Sequence, residues 1–155
     1  VYVTVNPVDP ALLARAANRI KPKVRATTAS GMHEFSVWIA ADPKSRERGL
    51  MFVREMAADR GMLFVFEFPQ QVAFWMKNTV LPLDLVFIAE DGRVLNIAAD
   101  ARPYSLDPIF SDGEALAVLE VLGGTARKIG LKPGDRLALP GLRTTVTTPD
   151  PPKPR

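Results

Sequence analysis

The chain has 155 residues, 47% hydrophobic and 24% charged, with no cysteine and a net charge of +3. That size suits one domain burying a continuous core without staples, and the composition excludes a disordered chain. The missing cysteines exclude disulfides, thiolate nucleophiles and sulfur-ligated zinc, and no apolar run approaches the ~20 residues of a spanning helix.

The positive charge sits at the ends. Residues 1–31 carry +4, residues 32–142 carry −3 from twelve Lys/Arg against fifteen Asp/Glu, and residues 143–155 carry +2. A mildly acidic folded part does not offer the basic, aromatic-lined face of a nucleic-acid binder, and that class is set aside. A chain without cysteine fits an oxidising compartment as well as the cytosol, and Val1 in place of an initiator methionine raises the expectation of a removed leader.

In chain order, "VYVTV" reads as an edge strand ended by Asn6-Pro7, and "DPALLARAANRI" as a short amphipathic helix capped by Asp9 with Pro10 in its first turn. "KPKVRATTASG" reads as a solvated basic linker, which divides the chain into an N-terminal extension (1–31), a single β domain (32–142) and a flexible Thr/Pro-rich tail (143–155). From His33 to Ile39, Phe35, Val37 and Ile39 alternate with Glu34, Ser36 and Trp38, the pattern of a half-buried strand. Asp42 and Pro43 open a short helix disturbed near Gly49.

A turn at Asp59–Gly61 feeds the β-prone run "MLFVFEF", and "QQVAFWMKN" is expected to be its sheet neighbour. "LDLVFIAEDGRVLNIAAD" predicts a hairpin, because Asp91-Gly92 supplies the positive φ values a tight turn needs. A polar loop, "ARPYSLDPIFSDGE", leads to "ALAVLEVL", which suits either strand or helix, with residue types that favour a strand. "GGTARKIG" suits a turn or two of helix, and "KPGD" a turn before the strand "RLAL". Without alternating long helices and strands, the expected fold is mainly β: an antiparallel sandwich or barrel with two or three short helices.

The candidate chemistry gathers near Trp75. If residues 72–79 are extended, Val72, Phe74 and Met76 face the core while Ala73, Trp75, Lys77 and Thr79 face outward. Indole beside ammonium suits stacking on a sugar ring with a polar contact at its edge, or else Lys77 lies across Trp75 towards a carboxylate. Two acids, Asp84 and Glu120, occupy strand faces otherwise apolar, so each must be paired, hydrogen-bonded or protonated. They are candidates either for the acid and base of a glycan hydrolase or for ion pairs with Lys77, Arg46 or Arg48. The lone His33, with no P-loop or dinucleotide fingerprint, leaves no basis for a triad, a nucleotide site or any other cofactor. Met51, Met62 and Met76 are more economically core residues than a Cu(I) site, so no metal is expected.

The motifs "RERGLMF" (Arg46–Phe52), "RGMLFVF" (Arg60–Phe66), "FWMKNT" (Phe74–Thr79), "PLDLVFI" (Pro82–Ile88), "DGRV" (Asp91–Val94), "VLEV" (Val118–Val121) and "GLKPGD" (Gly130–Asp135) occur in an order that resembles the bacterial and archaeal DUF192 family, over residues 33–139. The resemblance implies a compact, mainly β domain related to jelly rolls, often exported to the periplasm or secreted, and no known reaction. Arg48, Met51, Met62, Trp75, Met76, Lys77, Asn78, Asp84 and Glu120 fall on its motif positions. The leading expectation is an envelope domain that binds a small polar molecule, a saccharide or another envelope component, without catalysis, through Arg48, Trp75, Lys77, Asn78, Asp84 and Glu120. The competing expectations are the Asp84/Glu120 hydrolase and a purely structural network of Arg48, Lys77, Asp84 and Glu120.

Overall fold

The computed structural model describes residues 22–140 and the short strands Tyr2–Thr4 (β1) and Thr145–Thr147 (β11), which pair antiparallel. Between them run β2 (Lys23–Thr28), β3 (Gly31–Ala40), α1 (Pro43–Arg48), β4 (Arg60–Gln70), β5 (Ala73–Phe74), β6 (Leu83–Ile88), β7 (Val94–Ala101), β8 (Ile109–Phe110), β9 (Ala115–Leu122), α2 (Thr125–Ile129) and β10 (Arg136–Ala138). The helix expected near Asp9 lies outside the described residues. No described helix is long and apolar enough to cross a membrane.

Seven strands form one sheet in the order β10-β2-β3-β4-β9-β6-β7. The expected antiparallel pairing holds throughout it except between β3 and β4, which run parallel from Ser36↔Arg60 to Ala40↔Phe64. Parallel neighbours need a long crossover. Residues 41–59 supply it and carry α1, whose N-terminus is capped by Asp42 accepting from Ser45 N at 2.9 Å. The hydroxyl of Ser45 and then its amide, both donating to Asp42, hold that carboxyl below its ordinary range.

The sheet curls until its edges touch. Val94 N donates to Asp135 O at 2.8 Å, Gly134 N to Val94 O at 2.9 Å and Leu137 N to Gly92 O at 2.8 Å, with a single bridge pairing Arg93 and Arg136. Gly92 is required here, since a Cβ on it would lie 2.6 Å from Leu137 O. All seven strands contribute to the core inside the curl: Leu137, Val24, Phe35, Leu63, Leu119, Val86 and Val94 in sheet order.

A second core lies on the outer face of the central strands, where Phe64, Val118, Leu83, Leu85 and Phe87 pack under Leu50, Val72, Phe74, Met76 and Ile109. β6 and most of β9 are therefore buried on both faces, which is why they read as apolar runs without alternation.

Three further expectations are corrected. Lys23–Thr28 is not a linker but an internal strand, with Val24 and Ala26 fully buried, so the folded unit reaches back past the boundary drawn at residue 32. β5 pairs with β8 rather than β4, because it belongs to the layer covering the outer core. The tail, expected to lack regular structure, contributes β11.

Candidate functional site

β4 leaves register with β9 between Val65 and Gln70. Such an irregularity bends a strand and re-aims its side chains. Beside it, between the outer sheet face and its cover, lies a cavity of about 390 Å³. Phe64, Phe66 and Glu120 line it from the sheet, Arg46 to Met51 from α1 and the turn after it, and residues 70–75, Lys77 and Thr79 from the β4–β6 connection. Phe74 sits at the centre of an edge-to-face aromatic cluster, 4.9 Å from the Phe64 ring, 6.4 Å from Phe66 and 6.0 Å from Phe87.

The expected alternation around Trp75 is present in the burial. Val72 and Met76 are buried while Ala73, Trp75 and Lys77 are exposed, although only Ala73 and Phe74 are in a strand. Lys77 Nζ sits 5.0 Å from the Trp75 ring centre, a cation–π contact. Alternation ends at Asn78, whose φ of 53° turns the chain so that Thr79 is buried. Asparagine tolerates that left-handed conformation. Asn78 O accepts from Phe52 N at 2.9 Å, and its side-chain amide lies 3.9 Å from Met51 Sδ, which ties the cavity's two covering segments together.

The two predicted acids separate. β6 and β9 pair with Asp84 opposite Val121 and Leu85 opposite Glu120, so the two carboxyls project from opposite faces of the sheet. Asp84 accepts from Asp100 N at 2.9 Å, Gly124 N at 3.1 Å and Ala126 N at 2.8 Å. It fastens the end of β7 and the start of α2 to β6, and does not line the cavity. The hydrolase needs both carboxyls on one substrate. Opposite faces rule that pairing out.

Glu120 is 6% exposed and has no hydrogen-bond or ion-pair partner among the described residues. Burial alone raises its pKa to about 8. At neutral pH it is a carboxylic acid with an O–H donor on the cavity wall.

The expected network of Arg48, Lys77, Asp84 and Glu120 is not formed, because Asp84 projects from the opposite sheet face and is satisfied by backbone, and no described cation lies within ion-pair distance of Glu120. Arg48 stands 6.0 Å from the Phe52 ring centre, and neither it nor Lys77 is paired with a described residue. Arg46 is committed: it donates to Ala41 O at 2.8 Å, Val65 O at 3.0 Å and Glu67 Oε1 at 3.2 Å, and lies over Phe66. Of the three methionines considered for copper only Met51 lines the cavity, while Met76 is 1% exposed in the outer core and Met62 packs against that core.

Of the six expected binding residues, Arg48, Trp75, Lys77 and Glu120 line one cavity, Asn78 braces it and Asp84 is outside. Sequence reasoning missed Phe66, Gln70 and Gln71. The break in β4 has one signal, Pro69, which marks a strand end or a bulge but does not reveal where the side chains after it point.

The DUF192 family model, described as "Uncharacterized ACR", matches residues 24–139. The chain belongs to the DUF192 family. The match begins inside β2, in keeping with that strand's place in the sheet. Two solved structures are similar to this DUF192 chain. A protein from Sinorhizobium meliloti titled a putative transcription regulator is 48% identical over 77% of this chain and 94% of its own, with a TM-score of 0.75. A protein of unknown function from Novosphingobium aromaticivorans is 39% identical over 89% of this chain and 93% of its own, also at 0.75. No curated protein matches the chain.

Proposed function

We propose that this DUF192 domain binds a small polar ligand of saccharide type in the cavity beside Trp75, and that it does so in the periplasm or cell envelope. The observation that carries the binding reading is Glu120: a buried carboxyl with no described partner, facing a cavity of about 390 Å³. No described group engages that carboxyl, so its hydrogen-bonding capacity is open to a ligand that enters the cavity. Trp75, 48% exposed, offers an indole for a sugar ring, and Arg48 and Lys77 offer donors to its oxygens. The envelope setting rests on the family resemblance.

The Sinorhizobium title invites a DNA-binding reading, but residues 22–140 hold fourteen Lys/Arg against fifteen Asp/Glu and favour a small-molecule site over a phosphate-tracking face. The test is a ligand-observed NMR screen of mono- and disaccharides followed by Trp75→Ala. Loss of about tenfold or more in affinity at an unchanged melting temperature is expected from removing a stacking face. Unchanged affinity contradicts the reading.

A further inference from the structure

The charges around the cavity narrow the ligand further. Besides Glu120, its charged lining residues are Arg46, Glu47, Arg48 and Lys77. Arg46 is neutralised by Glu67. Arg48 and Lys77 then stand against Glu47 alone, which leaves one net positive charge on a wall that also holds a proton donor. Of the strands against Glu120, β6 places Leu85 opposite it, and β4 places Met62 opposite it with Phe64 on one side and Arg60 on the other. The Arg60 guanidinium lies over the Trp38 ring, 4.1 Å from its centre, and makes no ion pair with Glu120.

We infer that the ligand carries an anionic group, a carboxylate or a phosphate, which Arg48 and Lys77 meet, while an oxygen acceptor takes the hydrogen bond of Glu120. This rests on the binding role proposed above. An amine-bearing ligand would need Glu120 ionised and would face a wall of net positive charge. A neutral ligand would leave the net positive charge of the wall without a counter-charge. An anion satisfies all three groups together.

Anion binding at this wall depends on pH. With its pKa raised to about 8 by burial, Glu120 is protonated at neutral pH, and ionising it removes both the donor and the net positive charge. Binding of the anion holds the proton on.

The test uses the full chain and two matched pairs of probes, galacturonate with galactose and glucose 6-phosphate with glucose, titrated by NMR at about pH 7 and about pH 9. At least one charged member is expected to bind about tenfold more tightly than its neutral partner at the lower pH and to weaken about tenfold at the higher. The member that binds distinguishes carboxylate from phosphate. Lys77→Met, on an exposed side chain, is expected to erase the charged-over-neutral preference. Glu120→Gln, which keeps shape and a donor, is expected to erase the pH dependence.

Equal or tighter binding of the neutral sugars overturns the anionic assignment and leaves the saccharide site standing. Charge preference without pH dependence in the unmutated chain removes Glu120 from it. Binding by no member overturns both the assignment and the site.

Discussion

Asp84 and Glu120 sit on neighbouring antiparallel strands, each nearly sealed from water, and differ in what they meet. Asp84 meets three backbone N–H groups and joins three elements; Glu120 meets none and faces a cavity. The sequence marks both as acids on apolar strands. It does not reveal that one register step sends their side chains to opposite faces, because that depends on how β6 pairs with β9.

Glu120 also makes stability depend on pH, with a definite sign. Its pKa rises from 4.5 unfolded to about 8 folded, so between those values the folded state holds the extra proton. Stability is then fully present below about pH 4.5 and falls by roughly 1 kcal/mol per pH unit until about pH 8. Glu120→Gln is expected to remove this slope and to be the more stable form at alkaline pH, as urea denaturation at a series of pH values would read. A parallel decline in both proteins would show that Glu120 is ionised in the fold.

Among the elements, β3, the β6–β7 hairpin and both short helices were legible because local chemistry decides them: alternation, an Asp-Gly turn, a capping aspartate and glycine boundaries. β2 was not. Lys23, Arg25 and Thr27 carry its solvent face, and only Val24 and Ala26 mark the buried one, too little apolar signal in six residues to distinguish a strand from a linker. Its place between β10 and β3 is a tertiary fact. The distinction is measurable: Ala26→Asp puts an unpaired charge at a fully buried position and is expected to cost about 3 kcal/mol or more, enough to threaten folding. A melting temperature left unchanged would return the segment to the linker it resembles.

Over the molecule as a whole, the mainly β class followed from the pattern of short runs, whereas the single curled sheet, its parallel pair and its outer covering layer did not. These arise from pairings across the full chain, such as β10 with β2 and the contact of Arg136 with Arg93 that brings the sheet edges together. The covering layer is what makes a site possible. Residues 46–51 and 70–79 roof the outer face of β4 and β9 and leave space above Glu120. Arg48, Trp75, Lys77 and Glu120, 72 residues apart at their extremes, meet only because those two segments close over the same strands.

The measurement that bears most directly on this account is an amide-resolved NMR titration with the tightest-binding of the four sugars. The Trp75 indole and the backbone amides of Arg48, Met51, Lys77 and Glu120 should shift together along one saturating curve. Shifts confined to the far side, around Ser30, His33 and Ile129, would place the ligand elsewhere and contradict the cavity as the site.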